Sequence, residues 1–122
     1  MSHTIEIKAC DNEMLIKAFS TTDSYVIADI KSGNNHTVSV NITVSEGAYS
    51  NGVVANGVNQ DLDETAMLTL PSGDYYLQVV GTNWGGPGTF YLKVDGIPMS
   101  YDNNGSDAIG TVYAPTVSVF NM

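Results

Sequence analysis

The chain has 122 residues, of which 43% are hydrophobic and 14% charged, and its formal net charge is −9 at pH 7. This length and composition predict one globular domain over residues 1–122 and argue against disorder. With 13 acidic residues against four Lys and Arg, the chain lacks the cationic surface that nucleic acids and anionic membranes require. Cations, neutral ligands such as sugars, and protein surfaces remain as partners.

Apolar and polar residues alternate with a period of two along most of the chain. Segments with this pattern lie at residues 4–9, 14–20, 25–31, 36–45, 66–70, 75–80, 89–94 and 116–121. Val, Ile, Thr, Tyr and Phe dominate these segments, and Asn, Gly and Pro turn signals separate them. No window of eleven or more residues has a helical stripe. The pattern predicts an all-β, antiparallel β-sandwich of jelly-roll type with about eight or nine strands.

The N-terminal segment, MSHTIEIKACDNEML, lacks the basic and apolar regions of a signal peptide. We therefore expect a protein that stays in the cytoplasm or is exported by a route without a leader. Cys10 is the single cysteine, so no disulfide can form within the chain, and we expect it to be a small buried apolar residue. His3 is expected to lie at a frayed terminus.

Residues 46–65, EGAYSNGVVANGVNQDLDET, interrupt the alternation and predict a long loop with one short strand at 53–55. The carboxylates and amide of this loop offer oxygen ligands of the kind that calcium prefers. They are Asn59, Asp61, Asp63 and Glu64. The alternative is a set of turns whose side chains cap local backbone N–H groups.

A second acidic cluster follows the strand at 89–94, in YDNNGSDAIG, residues 101–110. It offers Asp102, Asn103, Asn104 and Asp107. Neither cluster matches the twelve-residue calcium loop between two helices, which needs a glutamate at its last position. Calcium is the candidate cofactor at one loop or the other, and a capped turn is the alternative at both.

Trp84, the single tryptophan, lies in the glycine-rich segment GTNWGGPG, residues 81–88. An indole can stack on the C–H face of a neutral sugar without a charged partner. The amide of Asn83 and the ring of Tyr49 or Tyr101 are the candidate further contacts of a shallow carbohydrate site. The alternative is that the loop folds back and Trp84 closes one end of the sandwich.

An ordered series of motifs runs through the middle of the chain: DSYVIADIKSGNNHTVSVNITV, then ETAMLTLPSGDYYLQVVG, then GPGTFYLKV. The positions that carry the pattern are Asp23, Tyr25, Gly33, Leu70, Pro71, Gly73, Tyr75, Tyr76, Gly88, Phe90, Leu92 and Val94. Over residues 23–95 the chain thus resembles the bacterial pre-peptidase C-terminal domain. The resemblance implies a jelly-roll-like sandwich attached to secreted enzymes, with related domains that bind substrate or matrix, some with calcium. The chain is also similar, less extensively, to the small calcium-dependent galactose lectins of bacteria.

No HExxH, CxxC, G-x-S-x-G or P-loop pattern is present, so the sequence does not predict an enzyme. The leading hypothesis is a carbohydrate-binding module, lectin-like and assisted by calcium. The second is a structural or partner-binding subunit of a larger secreted or surface complex. In that case the C-terminal segment YAPTVSVFNM, residues 113–122, would be an edge strand that pairs with a neighbour, in a homo-oligomer or with another protein.

Overall fold

The computed structural model describes residues 2–33, 36–86, 88–102 and 109–122, and these residues form eleven strands and no helix. The strands are β1 (Ser2–Cys10), β2 (Glu13–Phe19), β3 (Ser24–Ser32), β4 (Val38–Glu46), β5 (Val53–Gly57), β6 (Leu62–Leu70), β7 (Asp74–Asn83), β8 (Thr89–Val94), β9 (Ile97–Asp102), β10 (Gly110–Tyr113) and β11 (Thr116–Asn121). The prediction of an all-β fold is confirmed, with more strands than the eight or nine expected. Within the described residues, no helix has the length and apolarity needed to cross a membrane.

The strands form two packed sheets, which confirms the predicted β-sandwich. The order in the first sheet is β6-β4-β1-β8-β9, and the order in the second is β10-β7-β2-β3-β5, with β11 also paired to β7. From β3 to β8 each strand lies in the sheet opposite to its predecessor, as in a jelly roll.

Both sheets are mixed, whereas the sequence predicted antiparallel pairing throughout. β5 runs parallel to β3, and β6 runs parallel to β4. The alternation between sheets explains this difference, because a chain that crosses to the other sheet and back resumes its original direction. The period of two shows which side chains face inward, but it carries no information about the direction of the neighbouring strand.

The core lies between the sheets and consists of the inward-facing residues of each alternating strand. Its largest fully buried side chains are Phe90, Phe120, Ile5, Ile7, Met14, Ile16, Ile27, Ile30, Ile42, Leu68, Leu70 and Leu77. Each such side chain contributes roughly 1.5–3 kcal/mol relative to an exposed one. Cys10 belongs to this core, as predicted. Burial raises the pKa of its thiol, with Asp11 as the next contribution, so the thiol is not activated.

The two ends of the sandwich differ in composition. At the tryptophan end, which we define by the Asp11–Asn12 turn and Trp84, β2 begins and β7 finishes. At the tyrosine end, which we define by Tyr25 and Tyr75, β3 and β7 begin. β7 has ten residues, so the two ends lie about 30 Å apart.

Candidate functional site

Trp84 projects from the loop that follows β7, and 46% of its surface is exposed. Its backbone N–H donates to Asn12 Oδ1 over 2.8 Å. Among the described residues, no aromatic ring stacks on the indole. The loop therefore holds the Trp84 backbone in place and leaves much of the ring accessible to a ligand.

The amide of Asn83 organises this loop from inside. Asn83 is fully buried, its Nδ2 donates to the carbonyl of Gly86 over 3.0 Å, and its Oδ1 accepts from the N–H of Gly85 over 3.2 Å. Gly85 and Gly86 have φ values of 136° and 76°, which side chains rarely adopt. The prediction made Asn83 a ligand contact, but its burial gives it a structural part in shaping the loop.

Asn12 is a second buried amide, and sequence reasoning did not single it out. Its side-chain Nδ2 donates to the carbonyl of Ser32 over 3.1 Å, and its backbone N–H donates to the carbonyl of Thr82 over 2.8 Å. It thus ties the turn after β1 to the strands on both sides of β2. Asn12 lies between two alternating segments, where a turn is expected, but a turn position does not show whether the amide faces inward.

A cavity of about 250 Å³ borders the Asp11–Asn12 turn, with Asp11 in its lining. Its lining includes Lys8, Asp11, Ser32 and His36. Burial raises the pKa of the Asp11 carboxyl, and Lys8 Nζ donates to Ser39 Oγ over 3.0 Å. The tryptophan end therefore combines an exposed aromatic ring with a hollow that offers cationic, carboxyl, hydroxyl and imidazole groups.

Tyr49 does not join this site. Its hydroxyl donates to the carbonyl of Val26 over 2.8 Å, and its ring centroid lies 4.8 Å from that of Tyr25. Both contacts place Tyr49 at the tyrosine end, on the far side of the molecule from Trp84. The structure therefore does not bring Tyr49 and Trp84 together.

Tyr101 lies on β9 and belongs to an aromatic cluster. Its ring centroid is 6.3 Å from Phe90 and 6.4 Å from Tyr113, whose own ring stacks on Phe90 at 5.1 Å. The Tyr113 hydroxyl donates to the carbonyl of Met99 over 2.7 Å. Burial raises the pKa of Tyr113 to about 12. Tyr101 is half-buried, and its ring contacts are within this cluster.

The first acidic cluster does not converge on one point. Asp61 Oδ1 accepts a hydrogen bond from the N–H of Thr37 over 2.8 Å and lies 3.3 Å from His36 Nδ1. The hydrogen bond from Thr37 is the main cause that lowers the pKa of Asp61. Asp63 and Glu64 are successive strand residues, so their side chains point to opposite faces. Asp61 fits the capped-turn alternative, whereas Asp63 and Glu64 lie within β6, and calcium at this cluster stays a prediction.

Of the second acidic cluster, Asp102 is the last residue of β9 and pairs with Thr89. Asn103, Asn104 and Asp107 lie outside the described residues. Within the described part of the chain, no group of three or more His, Cys, Asp and Glu side chains is arranged to hold a metal ion. Calcium at the loop after Asp102 stays a prediction.

His3 differs from the expectation of a frayed terminus. Its Nδ1 lies 2.5 Å from Asp95 Oδ2, its Nε2 lies 2.6 Å from the carbonyl oxygen of Asn121, and its ring stacks on Phe120 at 4.1 Å. Both ring nitrogens of His3 thus lie within hydrogen-bond distance of an oxygen that accepts hydrogen bonds. The imidazole joins β1 to the β8–β9 turn and to the C-terminal strand.

Comparison of the chain with protein-family models, curated proteins and solved structures gives no match. The resemblance of residues 23–95 to the pre-peptidase C-terminal domain therefore stays a prediction.

Proposed function

We propose that the protein is a non-catalytic module that binds neutral carbohydrate, with Trp84 as the stacking platform. The observation that carries the proposal is the half-exposed indole on a loop held from inside by the amides of Asn12 and Asn83. A sugar that stacks on this ring orders little of the loop, since the backbone is already held, and binding costs less conformational entropy. The net charge of −9 favours neutral over anionic sugars.

The cavity that borders the Asp11–Asn12 turn supplies the polar contacts of the proposed site. Lys8 can donate hydrogen bonds to a ligand, the carboxyl of Asp11 can accept them, and the imidazole of His36 can do either. Sugar hydroxyl groups both donate and accept, so a mixed lining of this kind suits them. At about 250 Å³ the cavity is slightly smaller than usual ligand pockets, which favours one sugar ring over a longer chain.

A glycan array with the wild type and Trp84→Ala tests the proposal. We expect the wild type to retain neutral glycans and the Trp84→Ala variant to retain them more weakly, because the indole no longer contributes to binding. Tyr76→Ala is the matched control, because Tyr76 is 45% exposed, close to Trp84 in exposure, but lies toward the tyrosine end. Equal binding by Trp84→Ala, or no binding by the wild type, would contradict the proposal.

Calcium is the proposed assisting ion at the loop after Asp102, on the strength of its carboxylate and amide oxygens in the sequence. A specific site would raise the Tm in millimolar calcium relative to excess chelator, and the stabilisation is about 2.7 kcal/mol at a hundredfold excess over Kd. Asp107→Asn should reduce this shift. An identical Tm in calcium and in chelator would exclude a specific site.

A structural or assembly function is the second candidate, and an apolar hollow favours it. Val94, Ile97, Met99 and Val117 line a cavity of about 210 Å³ between β8–β9 and β11. Nearby Val119 is 67% exposed, and in the described residues β11 pairs with β7 alone. An edge strand beside exposed apolar side chains is a feature of β-strand addition.

Light scattering after size exclusion tests this second candidate. Self-association through β11 predicts an oligomer that Val119→Lys converts to a monomer, whereas Val54→Lys, at an exposed position on β5, should leave it intact. A monomer at every concentration would contradict the proposal of self-association through β11.

A further inference from the structure

A larger cavity, of about 320 Å³, opens at the tyrosine end. The β2–β3 turn, residues 20–23, forms one wall, and the β6–β7 turn, residues 71–73, forms another. Tyr25, Asp74 and Tyr75 complete the lining. Ten residues of β7 separate this cavity from the Trp84 loop, so the two places are distinct.

Hydrogen bonds fix both turns. Ser20 Oγ accepts from the N–H groups of Thr22 and Asp23 over 3.2 and 3.0 Å. On the other side, Gly73 and Met122 exchange backbone hydrogen bonds of 3.0 and 2.8 Å, which anchor the second turn to the C-terminal strand. The cavity is thus held in shape without a ligand, which lowers the entropic cost of binding.

Tyrosine rings form the aromatic part of the lining. The ring centroids of Tyr25 and Tyr75 lie 6.2 Å apart in an edge-to-face arrangement, and the ring centroid of Tyr49 lies 4.8 Å from that of Tyr25. The Tyr75 hydroxyl donates to the carbonyl of Pro71 over 2.9 Å. The Tyr25 hydroxyl has no hydrogen-bond partner among the described residues, so it is available to a ligand.

The polar part of the lining carries hydroxyl and carboxyl groups. Ser20, Thr21, Thr22 and Ser72 contribute hydroxyls, and Asp23 and Asp74 contribute carboxyls. No Lys or His lines this cavity, and neither carboxylate has an ion-pair partner in the described residues. The pKa of Tyr75 is raised, mainly by burial, next by Tyr25 and then by the negative charge of Asp23. The charge of Asp23 therefore acts on the aromatic part of the lining.

We propose that this cavity is a second ligand site, one that binds a neutral sugar ring, with Asp23 and Asp74 accepting hydrogen bonds from its hydroxyls and Tyr25 contacting its C–H face. The site goes beyond the Trp84 platform and stands on separate residues, so either can fail alone. With both, one chain binds sugars at two ends about 30 Å apart and can bridge two glycan chains.

The charge and size of the cavity select the ligand class. Two carboxylates without a cation repel phosphorylated and carboxylated sugars. Carboxylates accept hydrogen bonds from two hydroxyls at once, and such bonds to charged groups are the strong ones. A volume of about 320 Å³ is at the low end for small-molecule pockets and suits a single ring or the end of a chain.

Titration of the full ¹⁵N-labelled chain with glucose, galactose, mannose and N-acetylglucosamine tests the site. We expect a saturable shift of the backbone amides at residues 20–25 and 72–75 with at least one of these sugars. Asp74→Asn should weaken this binding at least tenfold. Asp63→Asn, which removes an exposed carboxylate on β6, is the matched control and should bind as the wild type does. Trp84→Ala should leave the shifts at the tyrosine end unchanged.

The outcomes separate the two sites. Shifts confined to residues 82–86 would overturn the second site and keep the Trp84 platform, whereas shifts confined to the tyrosine end would do the reverse. No shift with any sugar would overturn both. Glucosamine and glucose 6-phosphate are the charged probes. Binding of glucosamine without binding of any neutral sugar would identify an ammonium site and overturn the sugar assignment, as would binding of the phosphate.

Discussion

The two ends of the sandwich present aromatic rings in opposite ways. At the tryptophan end, buried amides hold the loop and a single indole projects outward. At the tyrosine end, Tyr25, Tyr49 and Tyr75 pack against one another, and hydroxyl and carboxyl groups line the hollow beside them. One sandwich can thus offer a platform at one end and a pocket at the other, since its turns vary independently of the core.

Each end of the sandwich offers an aromatic ring whose contribution to stability should follow its burial. Phe90→Ala removes a fully buried ring that stacks on Tyr113, and we expect a loss of about 3–5 kcal/mol in the free energy of unfolding. Phe19→Ala is the matched change toward the tyrosine end, where a half-buried ring stacks on Tyr76. Its expected cost is about 1 kcal/mol, because less apolar surface leaves water. Urea unfolding measures both, and equal losses would contradict the difference in burial between Phe90 and Phe19.

Asn12→Ala tests whether buried amides hold the Trp84 loop. The change leaves the N–H of Trp84 and the carbonyl of Ser32 without their partner, and we expect a loss of about 2 kcal/mol. The emission of Trp84 should also shift to the red as the loop loosens. Asn41→Ala is the control, at a half-buried position of β4. Unchanged stability and emission in Asn12→Ala would show that the loop is held in another way.

The two histidines, one at each end, allow a comparison of losses in the free energy of unfolding of up to about 1–2 kcal/mol. His3→Ala removes two hydrogen bonds and a stacked ring at the tyrosine end, and we expect a loss of that size. His36→Ala removes a more exposed contact to Asp61 at 3.3 Å and should cost less than about 0.5 kcal/mol. Thermal unfolding ranks the variants, and a larger effect for His36→Ala would reverse our account of the N-terminus.

Glu13→Gln should have a small effect on stability that depends on pH. Burial, and then the carboxyl of Asp29, raise the pKa of Glu13 in the folded state above its usual 4.5. The folded state therefore binds more protons than the unfolded state, and stability falls as pH rises through this range. Removing the charge should stabilise the protein by about 0.5 kcal/mol at pH 7.

The benefit of Glu13→Gln should vanish well below pH 4.5, where Glu13 is protonated in both states. Asp61→Asn is the opposite case. Its pKa is lowered, mainly by the N–H of Thr37, so its contribution is present at neutral pH and is lost as pH falls. Urea unfolding at pH 3 and pH 7 compares the two variants, and the same sign of pH dependence in both would contradict the assigned environments.

Most strands could be predicted from the sequence, but β9 and β10 could not. Residues 75–80 mark the middle of β7, and residues 53–55 mark the start of β5. β9 and β10 were missed because only one of their ten residues is buried, so their sequences show little alternation between apolar and polar residues. The parallel pairs were missed because a strand's side-chain pattern is the same whichever way its neighbour runs.

The candidate site was predictable in part. A lone tryptophan among glycines predicts a ring that either contacts a ligand or closes one end of the sandwich, and in the structure Trp84 is half exposed. The amide of Asn83 looks the same in the sequence whether it faces a ligand or caps its own loop. Tyr49 was grouped with Trp84 although the β4–β5 loop carries it to the other end. Burial and long-range placement are properties of the fold, so composition does not reveal them.

Tryptophan fluorescence tests the central claim most directly, because Trp84 is the single tryptophan and emission excited selectively at the indole reports on it alone. Acrylamide should quench the emission of the free protein readily, as expected for a ring that is 46% exposed. A neutral sugar that stacks on the indole should reduce the quenching constant in a saturable way. If emission and quenching stay the same at every sugar concentration for all neutral sugars tested, Trp84 is not a carbohydrate platform.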